Sequence, residues 1–87
     1  MLNAMPPDEQ IKNIISLYQG DGTWRNYSRM INDVSEIYLN NQLTESVTKK
    51  AIVEGLKQSN YLQNVPARDS YFRNMAVCAW KNILRRV

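Results

Sequence analysis

Apolar side chains recur at helical spacing in four stretches of this chain, and polar stretches separate them. The first stretch predicts a helix over about residues 8–19, because two prolines and two acids mark its start and Gly20 can end it. Its apolar stripe consists of Ile11, Ile14, Ile15 and Tyr18. The spacing is that of one face of an amphipathic helix, so this helix should pack on a neighbour.

The second and third stretches predict helices over about residues 24–40 and 44–59. Asp21 or Thr23 could cap the start of the second helix, and Thr44 can cap the third. The apolar residues of the third helix face two directions, which is typical of a helix that is buried on two sides. Gly55 costs about 1 kcal/mol relative to alanine within a helix. It therefore indicates either close packing or a weak point in the third helix.

The longest clean helical pattern lies at the C-terminal end and predicts a helix over about residues 67–86, opened by Pro66 or Asp69. One line of this helix consists of Phe72, Ala76, Ala79, Ile83 and Val87, with Met75, Trp80 and Leu84 on its flanks. The pattern from Ser70 onward spans roughly 27 Å, which is enough to form one wall of a small core.

Four helices with short connections predict an all-α protein, either a compact four-helix bundle or an orthogonal helical array. The chain has 87 residues and is expected to form a single domain over 1–87, with a flexible start at residues 1–6. The residues expected to be buried together are Ile14, Ile31, Val34, Phe72, Ala76, Ala79 and Ile83.

Few residues of this chain suit catalysis or metal binding, since it has no histidine and one cysteine. Without histidine, the common ways to activate a serine or cysteine nucleophile are missing, so we expect no catalytic residues. The usual structural zinc sets are also missing, and no metal or cofactor site is predicted. Cys78 falls at the edge of the apolar stripe and is expected to be a small packing residue.

The protein is expected to be cytoplasmic and to have no membrane span. A single cysteine indicates a reducing compartment. The N-terminus lacks the basic start and apolar run of a signal peptide, and no apolar run approaches the length of a transmembrane helix.

Two stretches superficially resemble functional motifs. Asp33 and Glu36 lie one helical turn apart, but Arg29 lies four residues before Asp33, which is typical of a solvated charged face. The glycine-containing segment 20–23 precedes a helix as an anion-binding loop would. It lacks a preceding strand and a P-loop lysine, and Asp21 would repel a phosphate, so it is interpreted as a plain connection.

The net charge of +3 conceals an asymmetry between the halves of the chain. Residues 1–43 carry three cations and five acids, whereas residues 44–87 carry eight cations and three acids. This division allows attraction between the halves, self-association, or a basic face for an acidic partner. The candidate contact residues for a protein or nucleic-acid partner are Arg68, Arg73, Lys81, Arg85 and Arg86.

Two functions are compatible with these features. The first is a non-enzymatic protein that binds another protein, as an adaptor, inhibitor or regulator. The alternative is DNA or RNA binding through the basic C-terminal helix. A helix-turn-helix matches poorly, because the connection before that helix is longer than the usual three or four residues and has no glycine. Tyr61 and Tyr71 lie near Arg68 and Arg73 and could stack on single-stranded bases, although aromatic residues at helical spacing are more typical of a core.

Overall fold

The computed structural model describes residues 5–18 and 24–87, apart from the side chains of residues 24 and 25. These residues form four helices and no strand, which confirms the all-α prediction. The helices are α1 (Pro7–Ser16), α2 (Trp24–Asn40), α3 (Glu45–Gln58) and α4 (Arg68–Leu84). The radius of gyration, 12.5 Å, is close to the roughly 12 Å expected of a compact folded chain of this length.

The helix ends agree with the sequence prediction to within three residues. The Thr44 hydroxyl accepts a hydrogen bond from the Val47 N–H at 3.1 Å, so Thr44 is the predicted N-cap of α3. Neither predicted start of α4 is correct, because Ala67 precedes its first turn without a side-chain cap. Helix α1 ends at Ser16. The proposed end at Gly20 and the proposed caps of α2 at Asp21 and Thr23 lie outside the described residues.

Helix α3 packs between α1 and α4, and α2 packs against the same two helices from another side. This position explains the two-directional apolar pattern of its sequence. Thr48 is fully buried on α3, where its hydroxyl donates to the Thr44 carbonyl oxygen at 2.8 Å, whereas Val47 is exposed. Gly55 is buried where α3 meets α1, so close packing is the correct interpretation of that glycine.

The core draws on all four helices, and six of the seven residues predicted for it are buried. The exception is Ile14, which is only partly buried. Ile11 and Ile15 are completely buried instead. The contact between α1 and α3 fixes the rotation of α1, and the apolar stripe of α1 was too broad to reveal which of its isoleucines would face α3. The fully buried side chains include Phe72, Ile31, Ile52, Leu56 and Ile83.

Three residues of the apolar pattern of α4 are more exposed than predicted: Cys78 and Leu84 at its margins, and Val87 on its central line. Cys78 is exposed and is therefore not a packing residue of the core. Leu84 and Val87 are each 49% exposed. Both lie at the end of α4 or beyond it, where neighbouring helices no longer cover them.

Candidate interaction surface

Arg68, the first residue of α4, points its guanidinium into the structure. It donates hydrogen bonds to the carbonyl oxygens of Leu56 at 3.3 Å, Ser59 at 2.6 Å and Tyr61 at 3.1 Å. The same group lies 4.8 Å from the centre of the Phe72 ring. The last carbonyls of a helix lack partners within the helix. Arg68 therefore closes the end of α3 and joins it to α4, and few of its donors remain for a partner.

Arg86, just beyond α4, is also engaged within the fold. Its guanidinium donates to the Asn32 side-chain oxygen, to the Ser28 hydroxyl at 3.2 Å and to the Asn82 carbonyl oxygen at 3.0 Å. Asn32 and Ser28 belong to α2, so Arg86 ties the end of α4 to that helix.

The other three candidate cations, Arg73, Lys81 and Arg85, are exposed on α4. Arg73 makes one long hydrogen bond, 3.5 Å, to the Ser70 hydroxyl, and Arg85 bonds the Asn82 side chain at 3.2 Å. Among the described residues, the ion pairs all involve lysines of α1 or α3 and none of these three cations. The five candidates thus divide into two that stabilise the fold and three that face solvent.

A basic groove runs between α3 and α4. It has a volume of about 290 Å³ and is lined by Lys49, Lys50, Val53, Arg73, Ala76 and Val77. Among the described residues, no carboxylate lines the groove. Lys49 bonds to Glu45 at 2.9 Å, so its charge is partly neutralised, whereas Lys50 and Arg73 are exposed. The groove combines an apolar floor with cations at its edge.

The sequence prediction missed Lys49 and Lys50. Helices α3 and α4 pack against each other, and the residues that line the groove show that the two helices run in opposite directions. If the chain folds back at the middle of the connection between them, Lys50 lies beside Ala76, and Val53 lies beside Arg73. The sequence could have predicted this set of neighbours, but only with the knowledge that α3 packs against α4.

Exposed apolar residues accompany the outward cations of α4. At 100° per residue, Arg73, Val77, Lys81 and Leu84 fall within a sector of about 80°. Val77 is 42% exposed and Leu84 is 49% exposed. We call these four residues the outer stripe of α4, and the stripe continues from the basic groove.

The tyrosines near the cations do not share this surface. Tyr61 packs edge-on against Tyr18, with ring centres 5.1 Å apart, and is stacked on Phe72 at 6.4 Å. Tyr71 is 51% exposed but lies about 160° around α4 from Arg73. The predicted grouping of Tyr61 and Tyr71 with Arg68 and Arg73 therefore does not form a common stacking surface.

A second concavity, the apolar pocket, lies between the helices and is lined by residues of all four. It has a volume of about 210 Å³, and its lining includes Tyr18, Tyr27, Met30, Tyr71, Met75 and Cys78. The pocket faces away from the basic groove, because Tyr71 and Cys78 lie on the opposite flank of α4 from Arg73 and Val77.

Two groups of acidic residues lie at the surface of α1, α2 and α3. Asp33 and Glu36 are both exposed on α2. The Lys12 ammonium lies 3.0 Å from Glu9 and 3.5 Å from Glu54, and its hydrogen bond to Glu9 raises the pKa of Lys12 above the ordinary value of 10.5. Lys12 and Glu54 thereby link α1 to α3 at the surface.

Two kinds of feature are missing from residues 5–18 and 24–87. No three cysteine, aspartate or glutamate side chains there are grouped as metal ligands would be. No helix in that part of the chain has the length and apolarity that crossing a bilayer requires.

Comparison with protein-family models finds no match, and comparisons with curated proteins and with solved structures find no significant match. The function must therefore be inferred from the residues of this chain.

Proposed function

We propose that this chain is a small, non-enzymatic, cytoplasmic protein that binds another protein as an adaptor, inhibitor or regulator. Its binding surface is the basic groove together with the outer stripe of α4. The partner segment is acidic and carries apolar side chains. The observation that carries this proposal is the groove itself, where Lys50 and Arg73 border Val53 and Val77 and the described lining residues include no carboxylate.

The two kinds of side chain in this surface have different roles in recognition. The cations attract an acidic partner and speed its association, an effect that weakens as salt screens the charges. The exposed valine and leucine lose contact with water when a partner covers them, which stabilises the complex. A partner segment with carboxylates beside an apolar residue would match both the cations and the exposed apolar side chains of this surface.

The placement of the aromatic side chains favours a protein partner over nucleic acid. Single-stranded nucleic acids are held by cations together with aromatic rings on which bases stack. In this chain Tyr61 is engaged with Tyr18 and Phe72, and Tyr71 lies away from Arg73. Arg68 and Arg86 direct their guanidinium groups to the fold. The few remaining cations on the surface supply attraction but little base recognition.

The proposal is tested by capturing partners from the native cell with the full chain, with and without nuclease treatment, and identifying them by mass spectrometry. Lys50→Glu and Arg73→Glu each reverse one charge of the groove, and Arg29→Glu reverses an exposed charge on α2 outside it. We expect one partner to survive nuclease, to be retained by Arg29→Glu and to be lost with both groove variants.

Two results would contradict the proposal. Loss of all captured material after nuclease treatment would favour the nucleic-acid alternative. Equal capture by the groove variants and the wild type would show that this surface is not the binding site. Circular dichroism of each variant checks that the fold is retained.

A further inference from the structure

The apolar pocket lies apart from the basic groove and has a different chemistry. Its deepest wall is formed by core residues such as Ile15, Ile52 and Leu56, which are almost completely buried. Half-buried Met30 and Met75 form its sides, and exposed Cys78 lies at its edge. A molecule in this pocket would therefore contact the core of the protein directly.

Among the described side chains, none that lines the pocket is ionised. The polar atoms of the lining are few, and the Tyr27 hydroxyl already accepts a hydrogen bond from Asn82 at 2.9 Å. A charged ligand would lose water without gaining a countercharge, which is strongly unfavourable. The lining therefore selects an uncharged occupant.

The volume limits the size of that occupant. The pocket, at about 210 Å³, is larger than the roughly 150 Å³ of an apolar cavity that binds benzene in another protein. It is smaller than the roughly 300 Å³ at which pockets for drug-sized ligands begin. A nucleotide or a large cofactor exceeds this space, whereas one ring or two fused rings fit it.

The side chains of the lining suit a ring. The half-exposed ring of Tyr71 lines the pocket, and an aromatic ring favours edge-to-face or offset contacts with another ring. Met30 and Met75 are flexible and polarisable, so they can adjust to a ring and make favourable sulfur–aromatic contacts. We propose that the apolar pocket is a binding site for a small uncharged aromatic molecule of one or two fused rings.

Indole is a suitable probe, and Cys78 provides a local report of its binding. Cys78 is the only thiol of the chain and lies at the pocket. We expect indole to bind saturably to the full-length protein with a Kd near or below about 1 mM. Amide shift changes in NMR spectra should centre on Met30, Met75 and Cys78. Alkylation of Cys78 by iodoacetamide should slow several-fold at saturation.

A matched pair of substitutions tests the location. Met75→Gln keeps the length of the side chain but places an amide in the pocket, and it should raise the Kd for indole about tenfold. Met5→Gln makes the same change at an exposed position outside the pocket and should leave the Kd unchanged. Thermal unfolding of both variants shows whether they remain folded at the temperature of the titration.

Several outcomes would overturn the proposal. One is that indole does not saturate the protein at the solubility limit of indole. Another is that the NMR shift changes centre on residues elsewhere. A third is that the two substitutions, in folded protein, change the Kd for indole equally. Indoleacetate carries a carboxylate on the same rings, and binding as tight as that of indole would refute selection for an uncharged ligand. Protection of Cys78 by a captured partner protein but not by indole would show that the pocket holds a side chain of that partner.

Discussion

Gly55 of α3 lies so close to Ile15 of α1 that a Cβ atom at position 55 would be 2.6 Å from the Cβ of Ile15. The same atom would be 2.7 Å from the carbonyl oxygen of Lys12. Rotation of a side chain can relieve neither contact, because the Lys12 oxygen belongs to the backbone and the Cβ of Ile15 is fixed to its helix. The absence of a side chain at Gly55 therefore sets the distance between α1 and α3.

We expect Gly55→Ala to destabilise the protein by about 1–2 kcal/mol. Alanine gains about 1 kcal/mol of helix propensity relative to glycine. Overpacking at a close helix contact costs about 1–3 kcal/mol, and the contact with the backbone oxygen of Lys12 places the cost at the upper end of that range. Urea titration measures the free energy of unfolding. Lys57→Ala, at an exposed position of the same helix, is the control and should change it little. A more stable Gly55→Ala protein would show that the helices are not in such close contact.

Arg68 should contribute to stability, whereas Arg73 should not. Arg68→Ala removes the donor to three carbonyl oxygens and the contact with the Phe72 ring. Hydrogen bonds to a charged group contribute about 1.5–3 kcal/mol, and we expect a loss of that order in urea titration. Arg73→Ala makes the same change on the exposed face of α4 and should alter the free energy of unfolding by less than about 0.5 kcal/mol. Equal losses would contradict the division between inward and outward arginines.

Phe72 should be among the most costly side chains to truncate, since it is completely buried. Phe72→Ala should lower the free energy of unfolding by about 3–5 kcal/mol. The adjacent Tyr71 is half exposed, and Tyr71→Ala should cost much less. A loss below about 1 kcal/mol for Phe72→Ala would show that this ring is not a core residue. If Phe72→Ala does not fold, the smaller change Phe72→Leu gives a measurable value.

Nucleic-acid binding by the wild-type protein should be weak and strongly dependent on salt. Gel-shift titrations at low and moderate salt measure it with both single- and double-stranded probes. If Arg73, Lys81 and Arg85 contact phosphates, each neutralising substitution should weaken binding to all sequences alike and reduce the salt slope by about 0.7–0.9. Sub-micromolar binding that survives about 150 mM salt would favour the nucleic-acid alternative over the proposed protein partner.

The number, type and approximate bounds of the helices followed from local patterns in the sequence. Apolar periodicity located all four helices, and Thr44 marked the start of α3 because a hydroxyl cap acts on backbone groups within one turn. The core positions of α4 were equally clear, since Phe72, Ala76 and Ile83 lie in the middle of its stripe. Within the body of a helix, a residue in the middle of an apolar stripe stays buried when the helix rotates slightly, whereas Val87, beyond the end of α4, is exposed.

The margins of the stripes were decided by the tertiary structure. The contact of α1 with α3 buried Ile11 and Ile15 and left Ile14 partly exposed. Cys78 lies at the margin of α4, and the neighbouring helices leave it uncovered. A rotation of a few tens of degrees exchanges such residues between core and surface, and only the packing of the partner helices fixes that rotation.

The candidate surface depended most on the tertiary structure. The sequence gathers the cations near the C-terminal end, but a long arginine side chain reaches whatever acceptors the fold brings near it. Arg68 donates to the carbonyl oxygens at the end of α3, and Arg86 donates to polar side chains of α2. Both the basic groove and the apolar pocket are spaces between helices. The sequence by itself therefore determined the helices and their apolar faces, whereas the packing of those faces decided which charges and cavities reached the surface.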